Sequence, residues 1–378
     1  MKKSRFMSAI AMMIGLQALP AMAQEPWKLS AILPMTGALA SYSAEIKLSF
    51  EIALEEINKS GGVQGRPVTL AVMDSQSNPG QVASLIRQAC SDSLVTLLSL
   101  STEARVAFPV ANGMQCPAIG VATSAIGLAA NNRPWAFSML TPSNVMTGYA
   151  METMIHSVNP KSVVVIIEKG DPSATDFGNQ VVKTLGEHGI KTDTLTVAGT
   201  DMDFGPVVTR AAGASPDLVV VATLDRAAVG VLKELRKLGN ATKVLLTQSA
   251  YNALVGSLGP VLENVYRYAQ TTIDAPGNKL VADFVAAFKS RDNNREPSTT
   301  GVLSYDAIMM IKDAMLAAGL KGAPDSLAAD RKKFIDKLAA LHDWTGVGGA
   351  VSMTPDGYLF KQPVVLLYRG GKWETVEN

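Results

Sequence analysis

Residues 43–73, SAEIKLSFEIALEEINKSGGVQGRPVTLAVM, carry the pattern from which the rest of the chain can be read. Up to Ser60, apolar side chains recur at Ile46, Phe50, Ala53, Leu54 and Ile57, a spacing that places them on one face of an α-helix. Gly61-Gly62 ends that helix, because glycine accepts the positive φ that a helix C-terminus asks for. A run over 68–73 then reads as a strand, as does 27–33 upstream. Strand, helix, strand at this spacing predicts a right-handed crossover between parallel strands. Helices over 79–89 and 103–113 and strands over 94–98 and 118–122 continue the alternation. The expected product is an α/β unit, a parallel sheet with helices on both faces.

The alternation pauses at Thr141-Pro142-Ser143 and restarts. Strands are expected over 162–167, 192–197, 218–222 and 243–247, with helices over 177–188, 204–212 and 227–238 between them. After a strand at 265–272, helices over 279–290, 304–318 and 325–341 are expected to pack back on the first unit. A C-terminal hairpin is expected around 364–368, between Pro355-Asp356-Gly357 and Arg369-Gly370-Gly371, and Gly346-Val347-Gly348-Gly349 reads as a turn. The two halves share an architecture and no tandem repeat.

The first twenty-three residues read differently. Lys2, Lys3 and Arg5 form a positive head, 6–19 is almost uninterrupted apolar sequence, and Ala21-Met22-Ala23 is a small-x-small cleavage signal. Residues 1–23 are therefore expected to be a cleaved signal peptide, and no cysteine follows the cleavage point to take a lipid. The apolar run falls short of the roughly 20 residues a membrane helix needs, so a soluble periplasmic protein without membrane insertion is expected. The leader holds three of the 34 basic residues and none of the acidic ones, which leaves 31 against 33, a net −2. Near-neutrality excludes the basic face of a nucleic-acid or membrane-surface binder and leaves a small ligand or a protein as partner. Cys90 and Cys116 would face an oxidising compartment, where a disulfide is the default and two separate buried thiols the alternative. In the expected sheet both lie at the edge where strands begin.

Catalytic patterns do poorly. His156, His188 and His342 are spread over predicted helices with no carboxylate or cysteine at ligand spacing, so no metal or cofactor is expected. Nucleophile-elbow, zinc-protease, phosphate-loop and dinucleotide motifs are missing, and Glu55-Glu56 reads as a solvated helix face. The polar loops after the strands are more informative, since open parallel sheets bind ligands beyond the carboxyl ends of their strands, beside helix N-termini. Five such loops occur: 33–42, 99–102, 122–125, 171–177 and 223–226. Ser101, Thr102, Thr123 and Ser124 offer hydroxyls suited to a carboxylate, and each could equally be a helix cap.

Three motifs sharpen this. L-P-M-T-G at 33–37, I-N-K-S-G-G-V-Q-G-R-P-V at 57–68 and M-D-S-Q-S-N-P at 73–79 resemble the periplasmic leucine/isoleucine/valine-type (type I) substrate-binding proteins of ABC transporters, with a similarity running over essentially the whole mature chain. The resemblance implies two doubly wound α/β lobes joined by three crossovers, with breaks near Thr141, near Thr272 and before Ser352. Lobe 1 would comprise 24–142 plus 272–350, and lobe 2 would comprise 143–271 plus 351–378. It further implies Tyr42 as an aromatic cover, Ser101, Thr102, Thr123 and Ser124 around a carboxylate, and Phe177 against the ligand body. Leu224 stands where amino-acid binders often carry tyrosine. Around Gln248-Ser249, where such binders supply an acid for the ligand's ammonium, this chain has none. Either Asp225 takes that part, or the ligand lacks an α-amino group and Arg226 meets an anionic substituent.

The expected function is capture of a small hydrophobic carboxylate, a branched-chain or hydrophobic amino acid or an aromatic acid, by closure of the lobes. A monomer delivering its ligand to a membrane ABC permease is the implied assembly. A ligand-sensing subunit of a signalling receptor and a periplasmic enzyme are the alternatives.

Overall fold

Thr96, Leu97, Leu98, Ser99 and Leu100 are all buried, as are the five residues from Leu218 to Ala222. Strands covered on both faces in this way belong to parallel sheets with helices above and below. A computed structural model describes residues 25–376 apart from 252 and 272–277, with the side chain of residue 253 also undescribed. The expected leader and the break expected near Thr272 therefore lie outside the described residues.

The first sheet contains β1 (Trp27–Leu33), β2 (Val68–Asp74), β3 (Thr96–Leu100), β4 (Ala118–Ala122) and β5 (Ala136–Ser138) in the order β2-β1-β3-β4-β5, all parallel. Helices α1 (Ala40–Lys59), α2 (Pro79–Asp92) and α3 (Ser101–Gly113) alternate with them. Ile46, Phe50, Ala53 and Ile57 bury the inner face of α1, while Val82 and Ile86 of α2 and Phe108 and Ala111 of α3 cover the opposite face of the sheet. Cys90 and Cys116 form a disulfide, with Cα atoms 5.7 Å apart, tying the last turn of α2 to the chain entering β4.

After α4 (Ser143–Val158), the second unit runs through β6 (Ser162–Lys169), α5 (Pro172–Glu187), β7 (Lys191–Ala198), α6 (Gly205–Gly213), β8 (Leu218–Ala222), α7 (Asp225–Lys237), β9 (Lys243–Leu246), α8 (Ala253–Gly256) and β10 (Val265–Ala269). The chain returns to the first unit with α9 (Lys279–Lys289), α10 (Thr299–Ala318) and α11 (Leu327–Ala339). Their docking is explicit: Ser298 N donates to Glu45 of α1, Arg291 pairs with Glu55, Tyr305 Oη donates to Glu56 at 2.5 Å, and Arg331 donates to the carbonyls of Cys90 and Ser93.

A three-stranded antiparallel sheet follows, β11 (Trp344–Gly346), β12 (Gly349–Met353) and β13 (Leu359–Phe360). Its β11–β12 turn is held by Asp306 of α10, which accepts from the N–H groups of Val347 and Gly348 at 2.8 Å each. The hairpin of β14 (Val364–Arg369) and β15 (Lys372–Thr375) completes the second sheet, in the order β15-β14-β10-β9-β8-β6-β7.

One boundary moves. The break expected before Ser352 falls inside β12, and 351–360 stays with the first lobe. Tyr358 is buried in that lobe's core, its Oη donates to Ala125 O at 3.1 Å, and Ser138 N donates to Gly357 O at 2.8 Å. The chain crosses to the second sheet only between Phe360 and Val364. Proline and glycine at 355–357 mark a turn within the first lobe, and the chain changes lobe after it. The crossovers are cross-linked: Thr141 Oγ1 donates to the carbonyls of Leu359 and Lys361, and the Gln270 side chain bonds Thr141 N and Met139 O.

Candidate ligand-binding cleft

Both sheets are doubly wound, and in each the strand order reverses once, between β1 and β3 in the first and between β6 and β8 in the second. The loops that leave these strands open a crevice at the carboxyl edge of each sheet. In this chain the two crevices face one another. Tyr42, Leu100, Ser101, Ala122, Ser124, Leu140 and Thr300 of the first lobe and its crossover oppose Asp171, Ser173, Phe177, Leu224, Gln248, Ser249 and Tyr251 of the second, around roughly 400 Å³ of space between atoms, part of it open to solvent. Only about 30 Å³ of it admits a water-sized guest, so in this arrangement the two lobes are shut closely on one another. No lysine or arginine is among these lining residues.

The lobes touch across the cleft through side chains that the sequence alone separates widely. Thr102 Oγ1 donates to Asp171 Oδ2 at 2.8 Å, Ser124 Oγ and Ser173 Oγ lie 2.9 Å apart, and Ser41 Oγ donates to Asp225 Oδ2 at 2.5 Å. Tyr42 makes two such links, since its Oη donates to Ser249 O and accepts from Asp225 N, both at 3.0 Å. Ile126 N donates to Asp176 Oδ2 at 2.8 Å at the edge. Burial, reinforced by the neighbouring Asp225, holds the Tyr42 phenol well above its ordinary pKa, so it is a neutral donor and acceptor at any physiological pH.

Ser101 is the first residue of α3, and its Oγ accepts from the N–H groups of Ser124 and Ala125 at 3.3 and 3.4 Å. These are long bonds, which an arriving anion at the helix N-terminus can replace with stronger ones. Phe177 lies fully buried on α5 and meets Tyr268 edge to face at 6.0 Å, presenting an aromatic wall. Asp171 caps α5 by accepting from Ala174 N at 2.8 Å. Burial raises its carboxyl pKa, as it does for Glu168, whose Oε2 accepts from Leu224 N at 2.8 Å.

Of the residues expected at a ligand, Tyr42, Ser101, Ser124 and Phe177 line the cleft, and Thr102 spans it to Asp171. Thr123, Asp225 and Arg226 do not line it. The Thr123 side chain packs back against Gly120, and its hydroxyl is buried without a hydrogen-bond partner among the described residues. Asp225 is spent on Ser41 and on the N–H of Arg226, and Arg226 turns outward to Gly199 O and Met202 Sδ. Adjacent residues on a helix point about 100° apart and adjacent residues in extended chain point oppositely, so neither Asp225-Arg226 nor Thr123-Ser124 could act as a pair. Asp171 was readable: an acid directly before Pro172 is a helix-start signature. Ser41, Ser173 and Thr300 carried no such mark.

The three histidines sit at the surface. His188 pairs with Glu152 and His342 with Asp343, while His156 Nδ1 bonds the Glu152 carbonyl. Among the described residues no cluster of three or more His, Cys, Asp or Glu could hold a metal ion, and no helix is long and apolar enough to cross a membrane.

Two doubly wound α/β lobes joined by three crossovers, with a polar and aromatic cleft between them, are the type I periplasmic binding protein architecture. The chain belongs to the periplasmic binding protein family, whose model matches residues 26–368. A Leu/Ile/Val-binding protein homolog 3 from Brucella melitensis is 25% identical over 325 residues, 85% of this chain and 84% of that protein. The leucine binding protein LivK of Thermotoga maritima superimposes with a TM-score of 0.81 at 21% identity, covering 92% of this chain and 97% of that one. An ABC transporter solute binding protein from R. palustris, solved in complex with benzoate, superimposes with a TM-score of 0.83 at 17% identity, covering 93% and 95%.

Proposed function

We propose that the chain is the periplasmic solute-binding component of an ABC importer, and that it captures a small, mostly apolar carboxylate without altering it. The observation that carries this reading is the make-up of the cleft. The hydroxyls of Ser101, at the start of α3, and of Ser124, in the loop after β4, face it from one lobe, apolar surface from Leu100, Leu140, Phe177 and Leu224 walls it, and the hydrogen bonds across it form only when the lobes meet. A ligand touching both walls binds the closed form better than the open one, and that difference drives closure. Thr102–Asp171, Ser41–Asp225 and the Tyr42 links then hold the closed form, which offers a permease a surface spanning both lobes. The leucine and benzoate named for the similar structures support a hydrophobic amino acid or an aromatic acid as cargo. The leader read in residues 1–23 supports export, and one chain suffices to build the cleft, so a monomer is the working unit.

Calorimetric titration with leucine, isoleucine, benzoate and phenylacetate, coupled to small-angle scattering, tests the proposal. Micromolar affinity, worth about 8 kcal/mol, is expected with a decrease in radius of gyration and recovery of the ligand unchanged. Conversion of the ligand, or binding without compaction, overturns it.

A further inference from the structure

Gln248 stands out among the residues around the cleft. It follows β9, is 9% exposed and lines the second lobe's wall, yet its Oε1 is shut off from solvent with no hydrogen-bond partner among the described residues. A buried amide oxygen without a donor is costly, and a ligand that brings a donor relieves the cost. The carboxylates nearby are engaged elsewhere. Asp171 receives Thr102 on one oxygen and Ala174 N on the other, and Asp225 receives Ser41 and its neighbour's N–H. Both acids already carry bonds on each oxygen, whereas Gln248 Oε1, a neutral amide acceptor on the cleft wall, has none among the described residues.

Resting on the capture reading above, we infer that Gln248 selects a solute bearing a hydroxyl, so that the cargo is a hydroxylated apolar carboxylate in preference to an α-amino acid. A hydroxyl donates one proton to Oε1 and brings no charge into the closed cleft. An ammonium brings a full charge and three donors to a wall whose free acceptor carries none, and desolvating it there is expensive. A plain hydrocarbon acid leaves Oε1 orphaned, and a site built around one hydrogen bond rejects the analogue that lacks it more sharply than a purely apolar pocket would.

The test uses one skeleton with four decorations: phenylacetate, mandelate, 4-hydroxyphenylacetate and phenylglycine, titrated at neutral pH into the native protein and into Gln248→Met and Gln248→Glu. An aliphatic set, 4-methylpentanoate, 2-hydroxy-4-methylpentanoate and leucine, runs beside it. In at least one set a hydroxy acid should bind the native protein tenfold or more tighter than both the unsubstituted acid and the amino acid, and the aromatic pair locates the hydroxyl. Gln248→Met should shrink that advantage below threefold, in part by strengthening the unsubstituted acid, which no longer closes over an amide oxygen without a donor. Gln248→Glu should strengthen the amino acid at least tenfold. An amino acid or unsubstituted acid that equals the hydroxy acid on the native protein overturns the inference, as does an advantage that survives Gln248→Met, and in both cases capture of a carboxylate stands. Failure of all seven compounds to bind any of the three folded proteins overturns the capture reading along with the inference.

Discussion

Replacing Tyr42 by phenylalanine separates two functions that one side chain could serve. The ring alone would cover a ligand, and Phe keeps the ring. The hydroxyl, in contrast, is the only group in the contact that gives one hydrogen bond to Ser249 O and takes another from Asp225 N, each at 3.0 Å and each from the opposite lobe. In the open form, water serves all three partners, so removing the hydroxyl leaves that state almost unchanged. In the closed form, Asp225 N and Ser249 O lose a partner in a buried place. Two net hydrogen bonds of about 0.5–1.5 kcal/mol each put the penalty on closure at about 1–3 kcal/mol. Because closure and binding are linked, the same amount appears in affinity, about 5- to 150-fold weaker. Calorimetry on native and Tyr42→Phe protein, with whichever acid binds the native chain most tightly, gives the ratio, and scattering gives the degree of compaction at saturation. Urea denaturation without ligand checks that the variant is folded. An affinity within twofold of native, with full compaction, would refute the latch and leave Tyr42 as a cover alone.

Ser101→Ala should weaken carboxylate binding about tenfold, from loss of a charge-assisted bond of roughly 1.5 kcal/mol, as read by the same titration; Thr123→Val, whose side chain packs back against Gly120 and does not line the cleft, should leave affinity unchanged. Because the Thr123 hydroxyl is buried without a partner among the described residues, that second variant should also be as stable as native or about 1 kcal/mol more so in urea. The disulfide of Cys90 and Cys116 closes a loop of sequence separation 26. Denatured, unreduced protein should show no free thiol, and a Cys90→Ala/Cys116→Ala variant should lose about 3 kcal/mol of stability by the loop-entropy account. Asp306 is buried behind the β11–β12 turn, and burial raises its carboxyl to about 7 against the opposing pull of the Gly348 and Val347 N–H groups and of Lys361. The folded chain then binds a proton that the unfolded chain releases at its ordinary carboxylate pKa. The stabilisation is therefore complete below about pH 4 and is lost as pH rises through about 7. Melting temperatures of native and Asp306→Asn protein across that window should differ in slope, with the native falling more steeply; parallel curves would remove Asp306 as the titrating group.

The parts of the fold that were legible in the sequence are those decided by local periodicity. The α1 face of Ile46, Phe50, Ala53 and Ile57 is buried as its spacing requires, and the apolar runs at Ser162–Lys169 and Leu218–Ala222 are central strands. Misplacements concentrate at helix starts. The periodic apolar signal places the beginnings of α3, α5, α7 and α10 at 103, 177, 227 and 304, whereas these helices begin at Ser101, Pro172, Asp225 and Thr299. The missing first turns have a common cause. They point into or beside the cleft, where a helix has no core to face, so Ser101, Ser173, Asp225 and Thr300 interrupt the apolar pattern that periodicity detects.

The same reasoning explains why the site was harder to read than the fold. A residue type can be matched to a chemistry from sequence, as a hydroxyl to a carboxylate, but the direction of a side chain depends on its phase within an element whose start the sequence misjudged by two to five residues. Arg226 and Asp225 are neighbours in the chain and about 100° apart on α7, which sends one to Gly199 and Met202 and the other to Ser41 of the facing lobe. Ser41 and Asp225 are separated by 184 positions, and only the meeting of the two lobes joins them. Contacts of that kind join residues far apart in the chain, so they leave no local pattern. On the proposed closure mechanism, links such as Ser41–Asp225, Tyr42–Ser249, Thr102–Asp171 and Ser124–Ser173 would be made as the lobes meet, whereas the core residues that periodicity reveals lie within one lobe or the other.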